Sequence, residues 1–233
     1  MKLLDMGLKC AMLVSALGLC VASAEAGQKR PVVVELFTSQ GCSSCPPANA
    51  NLIEISKRPD VLALSFAVTY WDYLGWKDSF GKAEFTKRQA VYEPTLGEQG
   101  PFTPQMVIDG KASNVGFDLT EVNALIAAAL TDKGPAIDLG SGKVTIADGT
   151  APSSGADVWL VRYDPKTVEV PVSRGENRGA TLPHTHVVHA LDHLGTWKGD
   201  AKSFDVPRAS KGLRTAVLVQ KPQGGAILSA QTD

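Results

Sequence analysis

Apolar residues gather first into two dense runs, Pro31–Phe37 (PVVVELF) and Val61–Val68 (VLALSFAV). Short, β-branched and without polar alternation, each run predicts a strand buried on both faces of a sheet. Between them Ala48, Leu52, Ile53 and Ile55 recur at helical spacing, which predicts a helix opening at Cys42. Pro46 and Pro47 suit its first turn, where backbone N–H groups have no intrahelical acceptor. Strand, helix and strand in this order predict a βαβ crossover with parallel strands.

Beyond Val68 the pattern changes character. Residues 70–80, YWDYLGWKDSF, hold five of the fifteen aromatic residues, and a polar, helix-compatible run follows from Ala83 to Tyr92. The rings fit either a small local core or the border of a substrate groove beside the helix start. Gln105–Ile108 predicts a strand that ends in Asp109-Gly110, a strong hairpin signal. Leu119, Val122, Leu125, Ile126, Ala129 and Leu130 then share one face of a helix over Asp118–Leu130. After Lys133-Gly134-Pro135 short apolar runs alternate with turn residues: Ile137–Leu139, Lys143–Ile146, Asp157–Tyr163, Val168–Ser173, Thr185–Ala190, Leu213–Gln220 and Ala226–Ala230. This predicts a domain boundary near residue 133 and a small antiparallel sandwich or barrel over 134–233.

The N-terminus alters how the cysteines are read. Lys2 and Lys9 accompany an apolar run, Leu8–Val21, that ends in Ala22-Ser23-Ala24. This is the pattern of a secretory signal peptide, residues 1–24, cleaved after Ala24. The run is shorter than the roughly 20 residues a membrane-spanning helix needs, so no membrane anchor is expected. Cys20 follows Leu19, where lipidation wants a small residue. The expected location is therefore periplasmic or secreted. Cleavage removes Cys10 and Cys20 and leaves Cys42 and Cys45 alone, in a compartment where disulfides persist. The remaining composition restricts little: 23 basic and 24 acidic residues give a net charge of −1, and no basic run points to nucleic acid.

The chemistry therefore centres on Gly41-Cys-Ser-Ser-Cys45. At a helix N-terminus, unpaired N–H groups and the positive end of the helix dipole favour a thiolate. Cys42 is expected as the nucleophile and Cys45 as the resolving thiol. A structural staple is the alternative, although a disulfide closing so short a loop constrains the unfolded chain little. Zinc would want further Cys or His ligands nearby. Thr103-Pro104, directly before a strand, is a candidate cis peptide that exposes the preceding backbone for pairing with an extended peptide. All four histidines fall together at His184, His186, His189 and His193, where Asp192 is the one flanking acid.

VELFTSQGCSSCPPA, YWDYLGWKD, RQAVY, TPQMVIDG and RGENRG together resemble the secreted thioredoxin-like family catalogued as domain of unknown function 1223. The resemblance implies an α/β thioredoxin-like domain over residues 31–133, carrying the aromatic helical insertion and followed by the small all-β domain. It places Cys42 and Cys45 in the dithiol position and Pro104, preceded by Thr103, in that of the cis-proline. Glu35 is the nearest analogue of the buried acid that assists proton transfer in thioredoxins, or else a sheet glutamate paired with a Lys or Arg. The expected activity is thiol–disulfide exchange with a protein or peptide partner, with no resident cofactor or metal. A redox-inactive binding module with a structural disulfide and a copper-handling protein using both thiolates are the alternatives.

Overall fold

The computed structural model describes residues 30–129, 134–140 and 142–233. The segment read as a signal peptide lies outside them, as do residues 130–133, where the domain boundary was expected. The described chain runs β1 (Val32–Thr38), α1 (Cys45–Ile55), β2 (Val61–Ala67), a 3-10 turn (Asp72–Leu74), α2 (Ala83–Leu96), β3 (Gln105–Ile108), β4 (Ala112–Asn114) and α3 (Leu119–Ala129). It continues as β5 (Ile137–Gly140), β6 (Lys143–Ile146), β7 (Ala156–Pro171), β8 (Thr181–Trp197), β9 (Lys202–Asp205), β10 (Arg214–Gln220) and β11 (Ile227–Thr232).

These strands do not separate into a thioredoxin-like domain followed by a small all-β domain. Eight of them form one mixed sheet in the order β11-β10-β7-β8-β2-β1-β3-β4, and the described chain has three α-helices. β1 pairs parallel with β2, as the crossover predicts, and β8 then pairs parallel with β2 through Ser65 and Val187. That last pairing carries the sheet from the first half of the chain into the second. Only β5, β6 and β9 stand apart, as a three-stranded antiparallel sheet. The expectation failed because β7 and β8 are single strands of 16 and 17 residues, which prolines and polar residues had divided into shorter runs. Pro165 and Lys166 stay outside the ladder, which shifts register between Asp164 and Thr167. Opposite them His186 bulges with φ 49°. A bulge accommodates a proline without ending the strand.

Alternation distributes the core over both faces of the large sheet. Val33 and Phe37 of β1 and Ala216 and Leu218 of β10 pack with Phe85 and Tyr92 of α2. Val32, Val34 and Leu36 face the other way, against Ala48, Leu52 and Ile55 of α1 and Val122 and Ile126 of α3. Further along that second face, Val217 and Val219 pack with Val144 and Ile146 of the small sheet and with Trp197. Each such aliphatic side chain contributes about 1.5–3 kcal/mol by burial. The two faces bury one sheet, and β1, near its middle, ends at the two cysteines.

Candidate functional site

After Thr38 the backbone makes two successive turns, with Cys42 N–H donating to the Ser39 carbonyl and Cys45 N–H to the Cys42 carbonyl, each at 3.2 Å. Helix α1 begins at Cys45, not at Cys42, with Ser44 at the N-cap. A start at Cys42 would push Pro47 past the first turn, where its missing N–H breaks a helical bond. Cys45 therefore heads the helix and Cys42 lies in the preceding turn. A disulfide joins them, with Cα atoms 5.5 Å apart. Both are covered, Cys42 at 1% exposure and Cys45 at 0%.

Three segments surround the pair. The first carries Thr103-Pro104, a cis peptide, and the Cys42 sulfur lies 3.8 Å from the Thr103 carbonyl oxygen. Gln89 of α2 steadies the same segment, donating to the Phe102 carbonyl at 2.7 Å and to Gln105 Oε1 at 2.9 Å. Tyr70 donates to Gln89 in turn, and burial pushes the Tyr70 hydroxyl up to about 12.

The aromatic stretch is the second. Trp71 Nε1 donates to Thr103 Oγ1 at 2.7 Å, and a methyl at Gly41 would come within 3.1 Å of Trp71 Cβ. Trp76 Nε1 donates to Gln40 Oε1 at 2.9 Å, while Asp78 accepts from Gln40 N–H at 2.7 Å. Burial pushes the Asp78 carboxyl above its ordinary value. Trp71 and Trp76 thus hold the turn that carries the cysteines, while Tyr73 stands outward at 78% exposure.

The third segment went unassigned in the sequence. The tip of the β7–β8 hairpin, Arg174-Gly-Glu-Asn-Arg178, arches over the turn as a strap. Asn177 Nδ2 donates to the Gln40 carbonyl at 2.9 Å and to the Cys42 carbonyl at 2.8 Å. Glu176 accepts from Ser43 N–H at 3.0 Å and Ser43 Oγ at 2.6 Å. Those bonds hold the Glu176 carboxyl below its ordinary value. A methyl on Gly175 would lie 3.9 Å from Gly41 Cα, so the strap touches the turn itself. The sequence signal was present in the charged, glycine-bounded RGENRG, but nothing local said which surface it would meet.

Glu35 belongs to a different cluster. It points to the α2 face of the sheet, opposite α1, where it accepts from Arg88 Nε at 2.6 Å and from the Tyr92 hydroxyl. Gln220 of β10 also donates to that hydroxyl, at 3.0 Å. Arg88 packs against the Phe66, Tyr92 and Trp159 rings. Burial pushes the Tyr92 hydroxyl well above its ordinary value. The structure therefore brings Cys42, Cys45, Thr103 and Pro104 together and gives Glu35 an arginine partner elsewhere.

The histidines also disperse. His186 Nδ1 meets the Ala63 carbonyl at 2.9 Å, and His193 Nε2 meets Asp157 at 3.0 Å. Phe80 lies between the His184 and His189 rings. Among the described residues no group of three or more His, Cys, Asp or Glu is placed to hold a metal ion. Nor is any described helix long and apolar enough to cross a membrane.

The family described as protein of unknown function DUF1223 matches residues 33–220. The chain belongs to that family. Among solved structures, the chain is similar to a protein from Agrobacterium tumefaciens, 32% identical, with a TM-score of 0.72 over 86% of this chain and 92% of that one. HBP35 of Porphyromonas gingivalis is 16% identical, with a TM-score of 0.62 over 88% of this chain and 75% of that one, a likeness of fold alone. None of the curated proteins matches the chain.

Proposed function

We propose that this DUF1223 protein exchanges disulfides with a partner protein through Cys42 and Cys45, in the oxidising compartment reached after export. The observation that supports it is the Cys42–Cys45 disulfide at the head of α1, with the Cys42 sulfur against the Thr103 carbonyl. A partner thiolate attacks Cys42 Sγ, and the Cys42–Cys45 bond breaks with its electron pair leaving on Cys45 Sγ. The first turn of α1 favours negative charge there. A second partner thiolate attacks the partner's own sulfur in the mixed disulfide and releases Cys42. The partner leaves as a disulfide, oxidised by two electrons, and its two thiol protons end on Cys42 and Cys45. Run backwards, the same steps reduce a partner disulfide. Thr103 and Pro104 would guide the partner backbone alongside Cys42.

A Cys45→Ser variant is expected to trap a mixed disulfide through Cys42, and Cys42→Ser is expected to trap none. Absence of any Cys42-dependent exchange with oxidised glutathione, together with no trapped species, overturns the proposal. N-terminal sequencing of exported protein should begin at Glu25. The near-complete burial of both cysteines favours a second reading, a binding module whose disulfide is structural. A reduction potential below about −300 mV supports that reading, and one between about −230 and −120 mV supports exchange.

A further inference from the structure

The groove beside the disulfide has a chemical character of its own. It is lined by Leu74 of the 3-10 turn and by Ser173, Arg174, Gly175, Glu176 and Arg178 of the strap. Arg174 and Arg178 are exposed, and among the described residues neither guanidinium group has a hydrogen-bond or ion-pair partner. Three acids lie close by, Glu176 in the groove itself and Asp72 and Asp78 on the aromatic segment, and each accepts hydrogen bonds from neutral groups. Glu176 accepts from Ser43, and Asp72 accepts from Asp78 N–H at 3.1 Å. Lys77, on the same aromatic segment, is exposed and adds to the positive side. Tyr73 stands beside Leu74 at 78% exposure, a large ring with nothing packed over most of it. Within the groove itself two exposed guanidinium groups stand against the single carboxylate of Glu176, which Ser43 already engages.

We propose that this groove docks the partner's polypeptide and selects proteins whose reacting cysteine lies beside an acidic, extended segment. The inference rests on the exchange reading and names its substrate class. The partner's carboxylates meet Arg174 and Arg178, whose planar guanidinium groups suit bidentate contact. Tyr73 and Leu74 take up an apolar side chain between them. The strap carries both arginines and also holds the Gln40 and Cys42 carbonyls through Asn177, so a segment bound here lies against the element that clamps the cysteine turn. Complementary charge of this kind acts mainly on encounter and specificity.

The test uses the full chain and labelled, cysteine-free Gly-Ser peptides that carry either glutamates or lysines. Fluorescence anisotropy at low ionic strength should show the glutamate peptide binding about tenfold tighter. The preference should fade near 1 M salt, where the Debye length is about 3 Å. An Arg174→Glu/Arg178→Glu variant should reverse it while leaving thermal stability unchanged, since both side chains are exposed. Equal binding of the two peptides, or a preference unchanged in that variant, overturns the docking site. These peptides carry no thiol, so the outcome stands whether or not the protein exchanges disulfides. If exchange with a neutral small thiol persists in the double variant while the peptides bind equally, only the groove is wrong. If the charge preference holds but no thiol reacts, the exchange chemistry is wrong and an acidic-peptide module remains.

Discussion

At the scale of single residues, the chemistry depends on how Cys42 becomes reachable. Cys42 is 1% exposed, so a thiolate reaches its sulfur only after a local movement, and the strap holds the turn that carries it. Asn177 holds the strap by two hydrogen bonds, each worth about 1 kcal/mol net. Asn177→Ala should therefore raise the rate of disulfide reduction by a neutral thiol by up to about thirtyfold, as followed by thiol titration, with little change in reduction potential. Glu176 acts in the same direction through a titratable group. Its carboxylate is favoured by Ser43, so the contact is complete above the ordinary carboxylate value and is lost as pH falls through the lowered one. Protease sensitivity of the strap should accordingly rise in acid, and Glu176→Gln should remove most of that pH dependence. Glu35 shows what sequence leaves open at this scale. The run PVVVELF marks it as buried, but only the packing of α2 on the sheet decides that Arg88 is its partner. Truncating one member of a buried ion pair costs about 3–5 kcal/mol. Glu35→Ala should lose that much in urea unfolding, while the pH profile of thiol exchange in the surviving folded protein should keep its wild-type shape.

At the scale of elements, the parts with strong local signals were legible. β3 and β6 span the predicted residues, β1 and β2 differ by a residue at their ends, and α2 starts where the polar run starts. The Asp109-Gly110 signal gives the β3–β4 hairpin, and Gly110 has φ 64° with room for nothing larger. A methyl there would lie 2.5 Å from the Gly225 carbonyl oxygen. Gly110→Ala combines left-handed strain with that clash, so it should cost at least about 1–2 kcal/mol by chemical denaturation. β8 was legible only as its inner run, Thr185–Ala190, because Pro183, four histidines and the His186 bulge interrupt its alternation. Its pH response follows from the same composition. Burial pushes His184 down to about 4, and among the described residues its Nε2 has no hydrogen-bond partner. The unfolded chain binds a proton at about 6.5, so stability should fall as pH drops from about 6.5 towards 4, by up to about 3 kcal/mol. His186 is lowered too and adds to the slope. Buried Asp78 and Asp109, which are raised, act oppositely, but nearer the carboxylate range. His184→Leu should flatten the fall between about pH 4 and 6.5, as read from urea midpoints.

For the molecule as a whole, the decisive contact joins residues far apart in sequence, and no local pattern encodes it. β2 is flanked by β1 on one side and by β8 on the other, and Ser65 and Val187, which make that second junction, lie on opposite sides of residue 133. Gln220 of β10 likewise joins the Glu35, Arg88 and Tyr92 cluster, donating to the Tyr92 hydroxyl and accepting from Arg88. The α2-face core draws on β1, β2, β7, β8, β10 and β11 together, since Phe37, Phe66, Val161, Val188, Leu218 and Ala230 share it. A chain ending near residue 133 would leave the β2 edge open, half of that core facing water and a buried charge pair short of a partner. An exposed apolar strand edge invites aggregation. The fragment spanning residues 30–133 should therefore fail to unfold cooperatively and should aggregate, whereas the intact chain should lose far-ultraviolet circular dichroism and tryptophan fluorescence in one coincident transition. A soluble fragment with its own sharp transition would show that the sheet consists of two independent folding units after all. In the intact sheet the strap reaches the cysteine turn because β8 lies beside β2 and β7 beside β8, so the clamping of that turn is a property of the whole fold. Loosening the β2–β8 junction, for example by Val187→Asp, should expose Cys42 to small thiols as effectively as removing Asn177, although the substitution is far from the strap.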